Sequence, residues 1–113
     1  MPAPARWDIF CQVVDNFGDA GVSWRLARQL ALEHGLDVTL WLDDIAALAR
    51  MAPGVDPRVD MQVASGITLR RWTEPFPSVE PAEVVVEAFG CSLPDSYLAA
   101  MAVRVQRPAW FRH

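Results

Sequence analysis

Hydrophobic residues change their spacing several times along this chain, and each change predicts a boundary between elements. The run Trp7–Val14 is mostly apolar and rich in β-branched and aromatic residues, which is typical of a buried strand. From Val22 the apolar positions recur every four residues through Leu26 and Leu30, which predicts an amphipathic helix. The polar stretch 15–21 therefore joins a strand to a helix.

The rest of the chain continues this alternation. The pattern predicts, in order, a strand at 36–42, a short helix at 45–51, a weak strand at 59–63, a strand at 67–72, a proline-containing loop at 73–81, a strand at 83–88, a helix from 94 to about 101 and a last strand at 107–111. Asp43 or Asp44 is expected to cap the short helix. Strands separated by helices predict an α/β fold with a parallel sheet.

Composition narrows the class of protein. A chain of 113 residues, 52% of them hydrophobic, suits one domain with one core. The net charge of -4, without a run of basic residues, argues against nucleic acid as a partner. No stretch approaches the roughly 20 apolar residues that span a bilayer, and no signal-peptide pattern begins the chain. We therefore expect a cytoplasmic protein without a membrane partner.

The reactive side chains exclude several mechanisms. Every one of the 10 basic residues is an arginine, so a Walker-type phosphate loop or a pyridoxal Schiff base cannot be built from this chain. Cys11 and Cys91 are expected to be free thiols in a reducing compartment. With two distant histidines they supply no metal-ligand spacing, so no metal is expected.

The stretch 15–21 is the main candidate for chemistry, because ligands of open α/β sheets bind at the carboxyl ends of strands. It carries two carboxylates, Asp15 and Asp19, and two glycines, Gly18 and Gly21. The glycines would let a ligand approach the backbone, and the helix start offers N–H groups to an anion. The residues alone also fit a second interpretation, in which Asp19 is an ordinary N-cap and Asp15 forms an Asx turn.

Several ordered segments resemble one known family. They are Trp7-Asp8-Ile9-Phe10-Cys11, Val14-Asp15-Asn16-Phe17-Gly18-Asp19, the helical run Gly21–Leu30, Leu40-Trp41-Leu42-Asp43-Asp44, Val86-Glu87-Ala88-Phe89-Gly90-Cys91-Ser92-Leu93-Pro94 and Tyr97–Met101. They are similar to segments of the bacterial protein-arginine rhamnosyltransferases that modify elongation factor P. The resemblance covers most of residues 7–101.

The resemblance implies a GT-B glycosyltransferase, with two Rossmann-like domains facing each other across a cleft. Residues 1–113 then correspond to the N-terminal, acceptor-side domain, with the C-terminal donor-binding domain absent. The ending Phe111-Arg112-His113 departs from the family's continuation, which suggests a truncation, a frameshift or an artificial end of the chain. The implied reaction transfers L-rhamnose from dTDP-β-L-rhamnose to an arginine of elongation factor P, with inversion and without a cofactor.

The same resemblance implies roles for the loop. Asp19 is expected to act as the general base, while Asp15 orients the acceptor arginine. Two carboxylates suit this nucleophile, because a guanidinium has a pKa above about 12 and must be held and deprotonated as the new bond forms. Asn16, Phe17, Gly18 and Gly21 are the expected substrate-binding residues. Phe17 either lines the cleft or anchors the loop.

Two other functions remain open at this point. One is a Rossmann-type nucleotide-binding enzyme of another class, such as a methyltransferase or an oxidoreductase, although a G-x-G-x-x-G loop is missing. The other is a non-catalytic fragment that binds elongation factor P without turnover.

Side chains outside the loop receive mostly structural interpretations. Glu87 and Phe89, at a strand end, are candidates to reach the cleft or the acceptor protein. The remaining expectations are a core position for Trp24, Trp41 and Trp72, a helix-end position for His34 and a helix-surface or first-turn position for Ser23.

Overall fold

Strands and helices alternate along the chain as its hydrophobic pattern predicts, except that three strands follow one another between residues 61 and 88. The computed structural model describes residues 3–14, 18–104 and 106–112. Its elements are β1 (Arg6–Cys11), α1 (Gly18–His34), β2 (Asp37–Leu42), α2 (Ile45–Ala49), β3 (Met61–Ala64), β4 (Ile67–Arg71), β5 (Val84–Ala88), α3 (Asp95–Ala102) and β6 (Ala109–Arg112). The six strands form one sheet in the order β3-β4-β2-β1-β5-β6. The α/β, Rossmann-like fold class is therefore confirmed.

The sheet is parallel apart from its first edge. β1 pairs in parallel with β2 and β5, β2 with β4, and β5 with β6. β3 instead pairs antiparallel with β4. The two strands are joined by Ser65 and Gly66, whose φ angles of 52° and 76° suit a tight hairpin turn. The weak strand predicted near 59–63 thus exists, and the prediction of a parallel sheet is wrong for this edge strand.

The loop after β1 lies about three residues nearer the N-terminus than the sequence pattern predicts. β1 ends at Cys11, because Gln12 is exposed and Val14 is 83% exposed instead of being buried in the sheet. α1 already begins at Gly18, so the second half of the polar stretch 15–21 belongs to the helix. Residues 15–17 lie outside the described part of the chain.

The buried face of α1 differs from the predicted one in part. The expected stripe was Val22, Leu26 and Leu30, with Ala27 and Ala31 beside it. Val22 is 48% exposed, whereas Ala27 is fully buried and both leucines and Ala31 pack half-buried against the core. The buried residues are Ala20, Ser23, Trp24 and Ala27. Small residues let the helix backbone approach the sheet closely, and Trp24 fills the remaining space.

The α1 face of the sheet is an aliphatic core. Strand residues that alternate toward this face are fully or almost fully buried beneath α1 and α2. They include Ile9, Cys11, Val38, Leu40, Leu42, Ile67, Leu69 and Val86. Each such side chain contributes about 1.5–3 kcal/mol through removal from water.

The opposite face is aromatic. Phe10 lies at its centre, with its ring centroid 5.8 Å from Trp41, 5.4 Å from Trp72 and 4.8 Å from Tyr97 of α3. Phe76, in the segment after β4, lies 4.6 Å from Trp41 and extends the cluster. Trp41 and Trp72 here, and Trp24 on the other face, are all buried, which confirms their predicted core role.

The strand order positions one edge of the sheet for binding. From β1 the chain builds outward through β2 and β4, then returns to build β5 and β6 on the other side of β1. The order therefore reverses between β1 and β5, where Cys11 pairs with Ala88. In open α/β sheets, ligands bind in the crevice at the carboxyl ends of the two strands that flank such a reversal.

Candidate functional site

Two carboxylates hold the chain where it leaves β1. The Val13 N–H donates to Asp43 Oδ1 at 2.8 Å, and the Val14 N–H donates to Asp19 Oδ2 at 2.9 Å. Asp43 follows β2, whereas Asp19 belongs to α1, so two neighbouring elements fix the start of the β1–α1 loop. The loop is thereby held at the carboxyl edge of the central strand.

Asp19 lies inside α1, one residue after its start, and the interpretation of it as an N-cap is wrong. An N-cap side chain precedes the helix and accepts a hydrogen bond from an N–H inside the first turn. Asp19 lies in the first turn, and its carboxylate accepts from Val14, upstream of the helix. A negative charge at this end of a helix is favourable because the helix dipole is positive there.

The other predicted site residues are placed only in part. Asp15, Asn16 and Phe17 lie outside the described residues. Gly18 is the exposed first residue of α1, at the same edge of the sheet. Gly21 faces the segment after α2, where a Cβ would lie 3.1 Å from Met51 Sδ, so its small size serves helix packing. A role for either glycine in ligand binding stays a prediction.

The two carboxylates after β2 have different functions. Asp44 Oδ1 accepts the N–H of Ala47 at 3.2 Å, so Asp44 caps α2. The sequence predicted that either Asp43 or Asp44 would be this cap. Asp43 instead holds the loop after β1. Sequence reasoning missed this role, although its signal was present, since Asp43 follows the strand that lies beside β1.

Both thiols lie close to the end of β1. Cys11 and Cys91 are free and buried, and Cys91 Sγ donates to the Phe10 carbonyl at 3.3 Å. Burial raises the pKa of each thiol to about 11, so both are protonated near neutral pH and are poor nucleophiles. The expectation of free cysteines is confirmed.

Ser23 corrects one expectation from the sequence. It was expected on the helix surface or in the first turn, but it is 1% exposed and its hydroxyl lies against Cys11. It belongs to the buried face of α1, directly before Trp24. A small residue fits there because the end of β1 lies directly beneath it.

The end of β5 forms the other side of the reversal point. Phe89 is 38% exposed and has a φ of 58°, so the chain turns sharply as it leaves the strand. Glu87 pairs across the sheet with Phe10, on the aromatic face, and is almost buried. Its Oε1 lies 3.6 Å from Arg112 Nε of β6. Phe89 is thus at the predicted edge, whereas Glu87 faces α3.

The part of the chain that the structure describes forms neither a metal-binding cluster nor a membrane-spanning helix. Within residues 3–14, 18–104 and 106–112, no group of three His, Cys, Asp or Glu side chains is placed to hold a metal ion. No helix in that part of the chain is both long and apolar enough to cross a bilayer.

Comparison with known proteins identifies the family. Residues 7–112 match the family described as "Elongation-Factor P (EF-P) rhamnosyltransferase EarP". The chain belongs to the EarP family. The match includes the loop after β1, the end of β5 and the last strand, β6, and it agrees with the resemblance seen in the sequence.

Individual relatives give the same result. The chain is 53% identical over 106 residues to the protein-arginine rhamnosyltransferase of Pseudomonas putida, and 51% identical over 106 residues to that of Pseudomonas aeruginosa. Each match covers 94% of this chain and 28% of the relative. The relative from Shewanella oneidensis is 41% identical over 99 residues, or 87% of this chain and 25% of its own length. The chain thus spans about a quarter of the length of these EarP proteins.

Proposed function

We propose that this chain is the acceptor-side part of an EarP enzyme that transfers L-rhamnose from dTDP-β-L-rhamnose to an arginine of elongation factor P. The family match and the relatives named protein-arginine rhamnosyltransferase support a glycosyltransferase over a methyltransferase or an oxidoreductase. The remaining length of the relatives leaves room for a donor-binding half, as a GT-B arrangement requires.

The observation that carries this proposal is the position of Asp19. Its carboxylate lies at the carboxyl edge of β1, beside the reversal of strand order, and the Val14 N–H fixes Oδ2 at 2.9 Å. A base must be held in a fixed orientation toward the proton that it accepts. A first-turn position on α1, together with a backbone hydrogen bond, supplies that orientation.

The chemistry divides between two carboxylates. Asp15 holds the guanidinium through charge-assisted hydrogen bonds, and Asp19 accepts one of its protons. The guanidinium nitrogen forms a bond to the anomeric carbon as the bond from that carbon to the diphosphate oxygen breaks. The proton goes to Asp19 late in this step, when bond formation has made the nitrogen acidic. Attack opposite the leaving group inverts the anomeric carbon, and dTDP is released.

The other loop residues bind the substrates. Gly18 exposes the start of α1, whose N–H groups suit the diphosphate of the donor. Asn16 and Phe17 are assigned to substrate binding by the family resemblance, and Gly21 keeps the first turn close to Met51. The scheme invokes no metal or cofactor.

The test replaces Asp19 by asparagine in an enzyme of full length. Residues 7–112 of this chain would replace the matching segment of the Pseudomonas putida relative, and transfer to elongation factor P would be followed by mass spectrometry. Asparagine can still accept the Val14 N–H, but it cannot take a proton. Asp19→Asn should therefore lower the transfer rate at least roughly a hundredfold with a nearly unchanged melting temperature.

Asp37→Asn is the matched control. Asp37 is exposed at the start of β2, on the opposite edge of the sheet, so its charge should not affect transfer. Near-normal turnover of the Asp19→Asn enzyme at saturating donor and acceptor would refute the assignment of Asp19 as the base.

A further inference from the structure

A groove of about 430 Å³ opens beside the loop, on the α3 side of β1. One wall is the segment after β4, with Trp72, Glu74 and Phe76, and the other is the segment that enters α3, with Asp95. Gln12, the residue directly after β1, contributes to the same groove. The groove and the proposed catalytic loop therefore share one strand end.

The groove combines negative charge with an apolar surface. Glu74 and Asp95 are exposed, and the ion pairs among the described residues include neither of them. Trp72 and Phe76 belong to the aromatic cluster around Phe10, so a rigid core supports their exposed edges. Such a lining fits a long basic side chain, whose apolar stem covers the aromatic surface while its charged end reaches a carboxylate.

Trp72 adds a hydrogen-bond donor. Its side chain is 8% exposed, and no residue in the described part of the chain accepts a hydrogen bond from its indole N–H. That nitrogen is not sealed from solvent, in contrast to Nε1 of Trp41. Trp72 is also one of the residues that line this groove, so a bound chain is a candidate source of the missing acceptor.

The groove lies within reach of the proposed base. Only Val13 separates Gln12, in the groove wall, from Val14, whose N–H bonds to Asp19. Two residues of chain span at most about 7 Å. If the arginine of an acceptor protein lies at Asp19, the acceptor residues within about three positions of that arginine can therefore lie over the groove.

We propose that this groove binds the segment of the acceptor protein next to the modified arginine and selects a basic side chain in that segment. The basic group pairs with Glu74 and Asp95, its stem packs on Trp72 and Phe76, and a backbone carbonyl of the segment accepts the Trp72 N–H. This role rests on the proposed function, because it requires a protein acceptor at Asp19.

Binding of purified elongation factor P tests the groove without depending on catalysis. The 113-residue chain would be titrated calorimetrically with elongation factor P at low and at physiological salt. Glu74→Gln and Asp95→Asn, singly and together, remove charge with little change of shape. Glu33→Gln, on the last turn of α1, removes the same charge far from the groove.

We expect the double variant to bind about tenfold more weakly or worse, with a smaller salt dependence, and Glu33→Gln to bind like the unchanged chain. Each basic residue of elongation factor P within about three positions of the acceptor arginine would also be replaced by glutamine. One of these replacements should weaken binding to the unchanged chain but cause no further loss of affinity for the double variant. Circular dichroism spectra of all variants would confirm that they fold.

Other outcomes separate the two proposals. If elongation factor P binds and the double variant binds equally well, the groove proposal is wrong and the proposed function stands. If the unchanged chain does not bind elongation factor P at all, the proposed acceptor is wrong and the groove proposal fails with it.

Discussion

Asp8 places a carboxylate inside the sheet, on the aromatic face. Its Oδ2 accepts a hydrogen bond of 2.6 Å from Tyr97 Oη, which in turn accepts the N–H of Ala82 at 3.2 Å. Burial raises the pKa of Asp8 above its usual 3.8, although the Tyr97 hydrogen bond and the charge of Arg6 act in the opposite direction. The short polar chain thus joins β1, α3 and the segment before β5.

The raised pKa of Asp8 predicts a specific pH dependence of stability. The unfolded chain loses this proton near pH 3.8, whereas the folded chain keeps it to higher pH. The linked stabilisation is therefore complete below pH 3.8 and is lost as the pH rises through the folded pKa. Asp8→Asn removes this dependence while preserving an acceptor for Tyr97.

Urea unfolding of both proteins across this pH range would measure the effect. The difference in unfolding free energy, unchanged chain minus Asp8→Asn, should decrease as the pH rises and then become constant. Because both proteins share every other titrating group, those contributions largely cancel. A difference that does not vary with pH would show that the pKa of Asp8 is not raised by folding.

At the level of elements, Asp43 holds the β1–α1 loop and the neighbouring Asp44 caps α2. Asp43→Ala removes the acceptor of the Val13 N–H, and Asp44→Ala removes the cap of α2. We expect Asp43→Ala to accelerate amide hydrogen exchange at Val13, since its bonded partner is lost. Asp44→Ala should instead cost about 0.5–2 kcal/mol of unfolding free energy and leave exchange at Val13 unchanged.

These two substitutions control for each other, because they remove the same group from neighbouring positions. Exchange measured by nuclear magnetic resonance and unfolding by urea would distinguish them. Equal exchange rates at Val13 in both variants would mean that Asp43 does not hold the loop. In the chimeric enzyme, Asp43→Ala should also slow transfer, because it loosens the strand end beside the base.

The elements themselves were predictable because their signals are local. His34 lies at the end of α1, as the sequence predicted, and is followed by Gly35, whose φ is 64°. The buried face of α1 was not predictable, since Ala20 and Ser23 carry little hydrophobic signal and are buried only because the sheet approaches them. The pairing of β3 with β4 depends on the turn at Ser65 rather than on the periodicity of either strand.

The geometry of the candidate site was likewise not predictable from local sequence signals. Asp19 became a candidate because it follows a strand and because of the family resemblance, but its bond to Val14 depends on where α1 begins. The sequence offered the loop 73–81 as a lid, an acceptor-facing surface or a solvated connection, but it could not indicate the groove beside Glu74, because the two walls are separated by β5 along the chain. Tertiary proximity of this kind cannot be inferred from periodicity.

For the molecule as a whole, the central question is how much of the reaction this chain can perform. It matches EarP relatives over 28% of their length, and its strand order reverses between β1 and β5, where ligands of open α/β sheets bind. If the donor is bound mainly by the rest of such an enzyme, the 113-residue chain alone should show no detectable rhamnosyl transfer. It should still bind elongation factor P through the edge that carries Asp19.

Isotope-labelled chain, mixed with elongation factor P and dTDP-β-L-rhamnose, tests both statements in one sample. Amide shifts on adding elongation factor P should concentrate at Val14, Asp19 and their neighbours, including 15–17, while the acceptor mass stays unchanged. The chimera with the Pseudomonas putida relative serves as the positive control, because it supplies the remaining length. Turnover by the chain alone, free of any full-length enzyme, would show that these 113 residues bind the donor themselves. Shifts confined to the opposite edge, around Asp37, would mean that the acceptor does not contact the loop.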